Sequence, residues 1–468
     1  MTNSSSNERN LVNQIAEHAR QLGGRAFLVG GYVRDFLLGT PGNDFDLEIY
    51  GLTQEQIHTE IGKHFPLDLV GQAFGVFKVK HHDIEIALPR TESKTAPGHK
   101  GFDIESDPNL SYDQATARRD FTINAIMMDP LIGELVDPWN GRQDLQDRIL
   151  RHVSHHFSED PLRVLRAMQF VARFDFDVAP ETTELCKTLS QDELPIERIG
   201  TEWDKLFLKG IKPSKGLDFL LKCDWIRFYP ELKRLVNCPQ TPQWHPEGDV
   251  WNHTLLTIDA AAELKPQDQD DARVLMVAAL CHDLGKPATT TFDAQRNAYT
   301  SIRHEVESEK PTRSLIKSIW TLKDLPEKVV PLVLYHMRPH QLVNADATDK
   351  AIRKLALDAK RLDLLLKLCL ADIKGTQPPQ HVLESRKEDY EKLLQRANEL
   401  DVHNQPPKQL IQGRHLIERG LKPGPHFAPI LQKCFEAQID GEFNTMDQAL
   451  QFLDSILENK TQTQGNKQ

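Results

Sequence analysis

The 468-residue chain has little of several features that mark common protein classes. Its six cysteines are scattered without a Cys-x-x-Cys pair, which favours a reducing compartment and argues against a thiolate zinc site. No apolar run approaches the length that spans a membrane, so no membrane partner is expected. The polar start "MTNSSSNERN" lacks the apolar core of a signal peptide. Together these absences predict a cytoplasmic protein.

The chain also lacks an excess of basic residues. It has 57 Lys and Arg against 68 Asp and Glu, a net charge of −11. Because nucleic-acid binding usually needs a basic surface, no DNA partner is expected, and any RNA must meet local basic patches. A hydrophobic content of 39% and a charged content of 27% fit a globular protein, and the length predicts two to four domains.

Hydrophobic periodicity changes along the chain. Short apolar strands end at glycines in "RAFLVGG" and "NDFDLEIYG" and enclose the predicted helix "YVRDFLLG"; two more strands follow, and then a long loop over residues 91–120. From Ser158, the predicted cap of a helix, the pattern is helical, and after Pro242 it is almost wholly so. We predict a mixed-sheet α/β head with helices at 1–150, an all-α neck and body at 151–240, an α-helical domain at 241–390, and a helical segment with a disordered tail at 391–468.

The stretch "FLVGGYVRDFLLGTPGNDFDLEIYG" combines a glycine turn with two carboxylates. Asp44 and Asp46 alternate on a strand and so share one face, where two like charges are costly without a cation. Mg²⁺ prefers carboxylate oxygens and leaves room for phosphate. Gly30 and Gly31 before a helix allow backbone N–H groups to approach a triphosphate, and Arg34 adds a forked donor. The pattern predicts a magnesium-dependent nucleotide site.

Further motifs follow in order: "RRDFTINA", "DPWNGRQDL", "EDPLRVLRAMQFVARF" and "ERIGTEWDKL". With the glycine turn and the Asp-x-Asp pair, this series resembles the class II tRNA nucleotidyltransferase and bacterial poly(A) polymerase family over roughly residues 25–230. The resemblance implies transfer of nucleotides from CTP and ATP to the 3′ end of tRNA, completing CCA.

The resemblance also implies roles for individual residues. Asp44 and Asp46 would hold catalytic magnesium. The triphosphate would be bound by Gly30, Gly31, Arg34 and Asp35, and the ribose and phosphates by Arg118, Arg119 and Asp120. The base edge would be read by Glu159, Asp160 and Arg163, with Arg166 near phosphate. The chemistry of the base readers agrees, because Asp accepts from the amine that cytosine and adenine share and Arg donates to ring nitrogen or carbonyl oxygen. The alternative for Glu159 and Arg163 is a surface ion pair, and Glu85 is a candidate third carboxylate.

A second series, "WHPEGDVWNHTLLTIDAA" and "VAALCHDLGKP", resembles the HD superfamily of metal phosphohydrolases. It implies His253, His282 and Asp283 as metal ligands, and we choose Asp372 as the fourth because an apolar helix delivers it before a glycine. His304 and His336 are candidates for a second metal. Imidazole with carboxylate suits a transition metal such as Ni²⁺ or Mn²⁺. Hydrolysis of 2′,3′-cyclic phosphates and 2′-phosphates on RNA ends is the implied activity, with an inactive HD fold as the alternative.

Other functions remain open at this stage. Within the family the alternatives are an A-adding or CC-adding enzyme or a poly(A) polymerase. Full CCA addition is favoured by a segment that carries Arg90, Lys94 and Lys100, because in the family this segment helps the switch from C to A addition. Outside it, the chain would be an HD phosphohydrolase with a head that only binds RNA. The crowded pair Asp44 and Asp46 argues against a head without catalysis.

Overall fold

The computed structural model describes residues 3–71, 75–94, 102–343 and 347–465. The chain forms two compact units, Met1–Tyr229 and Pro230–Gln468. Among the described residues, no helix is both long enough and apolar enough to cross a bilayer.

The first unit is built on a mixed sheet. Its strands are β1 Arg25–Leu28, β2 Phe45–Tyr50, β3 Leu67–Gly71, β4 Val76–Val79, β5 Ile84–Ala87, β6 Arg90–Lys94, β7 Phe102–Ser106, β8 Met127–Met128 and β9 Leu135–Val136. Seven of them form one sheet in the order β3-β4-β5-β2-β1-β8-β9, in which β2 and β5 run parallel. Along β2, Phe45, Leu47 and Ile49 are buried in the core, so the alternate positions face the other side.

Part of the predicted long loop is ordered. Strands β6 and β7 pair antiparallel, Arg90 with Ser106, so residues 90–94 and 102–106 form a hairpin rather than irregular chain. The sequence prediction failed there because turn-forming residues outnumber alternating apolar ones. Lys100 and the rest of 95–101 lie outside the described residues.

Helices surround the sheet and continue past it. They are α1 Asn3–Gln21, α2 Gly31–Leu37, α3 Gln54–Gln56, α4 Tyr112–Thr116, α5 Gly141–Asp147, α6 Leu162–Phe174, α7 Pro180–Lys187, α8 Ile196–Lys209 and α9 Pro213–Lys222, with a short pair of strands, β10 Ile149–Leu150 and β11 Asp177–Val178. Ser158 does not cap α6: it lies in a 3-10 turn, His155–Glu159, and donates to the His155 carbonyl. Helix α6 begins after Pro161, and Asp160 accepts from the Leu162 N–H.

The second unit is helical apart from one hairpin. Its elements are α10 Pro230–Lys233, α11 Val250–Leu264, α12 Gln269–Cys281, α13 Lys286–Thr289, β12 Thr290–Asp293, β13 Ala298–Ser301, α14 His304–Glu307, α15 Glu309–Ile319, α16 Leu325–Tyr335, α17 Arg338–Val343, α18 Asp349–Ala359, α19 Leu362–Gly375, α20 Gln380–Glu399, α21 Gly413–Ile417, α22 Phe427–Asp440 and α23 Met446–Gly465. The hairpin β12–β13 interrupts a region whose sequence pattern is almost wholly helical.

Helix α12 is the centre of this unit. Its residues from Val274 to Cys281 are all buried, as expected for a helix that is apolar all round, and α11, α16 and α19 pack around it. A separate small core, which includes Leu416, Cys434 and Leu453, unites α21, α22 and α23. Helix α23 extends to Gly465, whereas the sequence predicts a disordered tail from residue 459.

Candidate functional sites in the head and the HD domain

A tight turn brings the backbone of Gly30 to the edge of the acidic strand. Gly30 precedes α2 with a φ of +70°, a conformation that favours glycine. A β-carbon at Gly30 would lie 3.3 Å from Arg119 Nη1 and 3.6 Å from Asp46 Oδ2. The glycine turn, the acidic strand and the Arg-Arg-Asp motif therefore meet at one point, as the sequence predicts.

The carboxylates become more buried from Asp44, directly before β2, to Glu48 within it. Asp44 is exposed, Asp46 is half-buried and Glu48 is buried. Burial and the charges of Asp44, Glu85 and Glu48 raise the pKa of Asp46 to about 6, against the opposing effect of Arg119. Glu85 is the β5 register partner of Asp46, so it adds to the same negative edge. Crowded carboxylate oxygens of this kind fit a hard divalent cation such as Mg²⁺.

Glu48 is a functional candidate that the sequence reasoning missed. Its carboxylate lies 3.6 Å from Arg118 Nη2 and 3.8 Å from Arg119 Nη2, and it is only 1% exposed. A buried carboxylate between two guanidinium groups fixes where their charges lie. The signal was available, because Glu48 continues the period-two series of Asp44 and Asp46.

Arg34 is held inside the head rather than presented to solvent. It donates to Asp35 Oδ1 at 2.8 Å and to Asn124 Oδ1 at 2.7 Å, and its guanidinium lies over the rings of Phe170 and Phe174. These contacts connect α2 with α6. Direct contact of Arg34 and Asp35 with a triphosphate stays a prediction.

Asp120 likewise lies in an internal network. Its Oδ1 accepts from the Phe121 N–H and from Asn124 Nδ2, and its Oδ2 accepts from Arg166 Nε at 2.8 Å. Burial acts to raise the pKa of Asp120, but the charge of Arg166 and the hydrogen bonds to this carboxylate outweigh it, so the pKa lies below its usual value. In this arrangement Asp120 and Arg166 fix the Arg118–Arg119 segment against α6, and their contacts with ribose or phosphate stay predictions.

The predicted base readers lie at the start of α6. Arg163 donates to the carbonyls of His156 and Arg118, at 2.7 and 2.6 Å. Asp160 accepts from Arg198 Nη2 at 2.8 Å, and Glu159 contacts His156 Nδ1 at 2.9 Å. Arg198 belongs to the "ERIGTEWDKL" motif, but no role for it was predicted.

The four predicted HD ligands converge although they lie up to 119 residues apart. His253 on α11 has its Nε2 2.9 Å from Asp372 Oδ1 on α19 and 3.3 Å from His282 Nε2, at the end of α12. Asp283 Oδ2 lies 3.2 Å from His282 Nε2. His253, His282 and Asp372 each offer a ligand atom within 4.8 Å of the others.

A second group of three potential ligands adjoins the first. His304 Nε2 lies 3.2 Å from His336 Nε2 and 3.3 Å from Asp283 Oδ1, so Asp283 borders both groups. His304 and His336, the candidates for a second metal, therefore lie together, and their binding of a metal stays a prediction.

The orientation of the imidazoles fits metal binding. The Nδ1 atoms of His282, His304 and His336 contact the carbonyls of Ala279, Ser301 and Val333, which accept only, so each Nδ1 carries the proton. Each Nε2 is then left with a free lone pair, as in histidines that bind a metal through this atom. Burial lowers the pKa of His336 to about 3, so this ring is neutral, as a metal ligand would have to be.

One glycine allows α19 to approach α11. A β-carbon at Gly375 would lie 2.3 Å from Thr257 Oγ1 and 3.3 Å from His253 Cε1. Any larger residue would force the Thr257 side chain or the two helices to shift, and the close approach places Asp372 beside His253. A cavity of about 330 Å³ opens on Asp283, His304, His336 and Asp372.

Comparisons with known proteins match both domains that carry these candidate sites. Residues 26–151 match the family model of the poly A polymerase head domain, and residues 250–373 match that of the HD domain. The multifunctional CCA protein of Neisseria meningitidis serogroup B is 33% identical over 89% of this chain and 99% of its own length. That of Xanthomonas oryzae pv. oryzae is 34% identical over 89% of this chain and 98% of its own.

Solved structures share the fold at lower identity. The CCA-adding enzyme of Bacillus stearothermophilus in complex with CTP superposes with a TM-score of 0.62, at 21% identity, over 99% of this chain and 100% of that one. The Thermotoga maritima CCA-adding enzyme complexed with tRNA gives 0.58, at 18% identity, over 96% and 95%.

Head and HD domain together define the class: a nucleotidyltransferase enzyme that carries a second, HD-type centre in the same chain. The sequence identity to two multifunctional CCA proteins, over most of the length of both chains, makes the assignment more specific. The chain belongs to the family of multifunctional CCA proteins.

Proposed function

We propose that this chain adds CCA to the 3′ end of tRNA, taking CTP and ATP as substrates without a nucleic-acid template. The observation that carries the proposal is the convergence of Gly30, Asp46 and Arg119 at one edge of the sheet, in a chain that matches multifunctional CCA proteins over most of its length. Asp44 and Asp46 would hold Mg²⁺, which when bound activates an attacking hydroxyl and neutralises a leaving pyrophosphate.

The protein's own residues divide the remaining work. The open backbone at Gly30 and Gly31 leaves room for phosphate oxygens beside Arg119, whose position Glu48 supports. Asp160 and Arg163 read the base, with Arg198 holding the Asp160 carboxylate.

The test of this activity uses a tRNA that ends before CCA. With CTP alone we expect two additions, with ATP alone none at the first position, and with both nucleotides all three. Additions of A only, of C only, or of a long A tail would instead identify the A-adding, CC-adding or poly(A) polymerase alternatives.

We further propose that the HD domain hydrolyses 2′,3′-cyclic phosphates and 2′-phosphates on RNA ends, with Ni²⁺ or Mn²⁺ at its histidines. In the cyclic case water adds to phosphorus, one ribose O–P bond breaks, and the leaving oxygen takes up a proton. The two adjoining ligand groups support this, since their chemistry suits a transition metal. Metal titration of the protein, followed by hydrolysis of 2′,3′-cyclic AMP, tests it; no turnover with any divalent ion would leave the domain a scaffold.

A cytoplasmic location completes the proposal. All six cysteines are free and buried, as expected in a reducing compartment.

A further inference from the structure

A loop beside the HD centre carries an unusual residue. Trp244 lies on the segment between α10 and α11, lines the 330 Å³ cavity and is 57% exposed. Small-molecule pockets are lined mainly by hydrophobic and aromatic side chains, so an exposed aromatic residue in a cavity wall is a candidate for ligand contact. Tyr299 of β13 lines the same cavity and is also partly exposed.

The loop that presents Trp244 is held rigidly. Thr241 Oγ1 accepts from the Tyr299 N–H at 2.8 Å and donates to the Tyr299 carbonyl at 3.0 Å, which joins the loop to β13. Gln240 accepts from Lys286 Nζ at 2.7 Å, and Glu247 Oε1 lies 2.8 Å from His253 Nδ1. The exposed indole therefore stands on a preorganised loop that is connected to the metal-ligand helix.

The cavity is lined by ionisable side chains and by the aromatic residues Trp244 and Tyr299. Its floor holds Asp283, His304, His336 and Asp372, where a phosphate would meet the metal, and Lys286 lies in the same wall. Its volume is near the lower end of the range of about 300–1,000 Å³ for small-molecule sites, which suits one nucleotide better than a duplex.

We propose that Trp244, with Tyr299 beside it, forms a stacking subsite for the base of the terminal nucleotide whose phosphate is hydrolysed at the HD centre. This inference rests on the proposed phosphohydrolase activity and assigns its substrate class: a single-stranded RNA end or a free nucleotide with a 2′- or 2′,3′-cyclic phosphate. Because stacking uses the face of the base, all four bases are accepted.

The kinetic test compares two cyclic phosphates with the full-length protein and Mn²⁺ or Ni²⁺. Trp244→Ala is expected to raise the KM for 2′,3′-cyclic AMP about tenfold with little change in kcat, the size typical of one lost base stack. Hydrolysis of glycerol 1,2-cyclic phosphate, which has no base, stays at the wild-type rate. Trp244→Phe is expected to keep most of the wild-type affinity. Leu322 is another exposed apolar residue of this unit and does not line the cavity, so Leu322→Ala is expected to leave KM and kcat unchanged for both substrates.

Equal losses on both substrates would mean that Trp244 only supports the loop, and no loss on either would refute stacking. A changed sedimentation coefficient of Trp244→Ala with unchanged KM would make the residue a self-association contact and would also overturn the proposal.

A binding measurement separates this inference from the proposed hydrolase activity. Adenosine 3′-monophosphate is expected to quench the tryptophan fluorescence of the wild type more than that of Trp244→Phe, and inorganic phosphate to quench neither. If the HD centre turns over no substrate, this difference still shows the subsite; equal quenching of the two proteins would refute it.

Discussion

Gly375→Ala tests how helix packing assembles the HD centre. The added methyl group would lie 2.3 Å from Thr257 Oγ1 and 3.1 Å from the Thr257 backbone nitrogen, so α19 and α11 must separate. Alanine in a helix normally gains about 1 kcal/mol over glycine. Overpacking of a closed contact costs about 1–3 kcal/mol, so the free energy of unfolding falls by only about 0–2 kcal/mol.

Metal affinity is expected to change more than stability. Asp372 lies three residues before Gly375, and its 2.9 Å contact with His253 depends on the same approach of the helices. Loss of a contact that orients a metal ligand typically lowers the metal affinity about 10–100-fold. Calorimetric titration with Ni²⁺ or Mn²⁺ measures this loss, while CCA addition by the head stays normal.

Two further variants make the result specific. Gly42→Ala has open space around its β-carbon and is expected to change nothing. Adding Thr257→Ala to Gly375→Ala removes the shorter contact and is expected to recover part of the metal affinity. Wild-type affinity in Gly375→Ala itself would show that close helix contact does not position Asp372, and would refute the reasoning.

Three predictions concern the head. Glu48→Gln removes a buried charge beside Arg119 and is expected to lower the free energy of unfolding by about 3 kcal/mol and to slow addition; chemical denaturation measures the first effect, and an unchanged midpoint would contradict it. Arg198→Ala frees Asp160 and is expected to weaken the preference for CTP and ATP over UTP and GTP in single-nucleotide incorporation, with unchanged preference as the contrary result. Arg163→Ala is expected to weaken the same preference by a factor that corresponds to about 1.5–3 kcal/mol; if turnover falls but discrimination stays, Arg163 only positions the backbone.

The candidate metal ligands of this chain could be predicted from the sequence more readily than the residues that hold the site residues in place. Asp44 and Asp46 follow from the strand period, and the HD ligands from a specific motif, because metal sites restrict both residue type and spacing. Arg198 was missed because its partner Asp160 lies 38 residues away in a different motif, whereas Glu48 was missed although it continues the period-two series of Asp44 and Asp46. Such contacts depend on how elements pack, which a single sequence pattern does not record.

The prediction of local structure from the sequence was wrong where strand signals competed with turn or helix signals of similar strength. Residues 90–94 and 102–106 belong to a stretch rich in turn formers, yet they pair as antiparallel strands, and β12–β13 lies inside a region of helical pattern. Tertiary pairing overrides weak local preference in such segments. Trp244 carried no sequence signal either, since only its exposure beside the cavity distinguishes it from a core tryptophan.

The central claim is that one chain carries two separate chemistries, and a crossed pair of variants tests it most directly. Asp46→Asn and Asp283→Asn are each assayed for CCA addition to tRNA with CTP, ATP and Mg²⁺, and for hydrolysis of 2′,3′-cyclic AMP with Ni²⁺ or Mn²⁺. We predict that Asp46→Asn loses addition and keeps hydrolysis, and that Asp283→Asn loses hydrolysis and keeps addition. Loss of both activities in either variant, or addition by Asp46→Asn at the wild-type rate, would contradict the account.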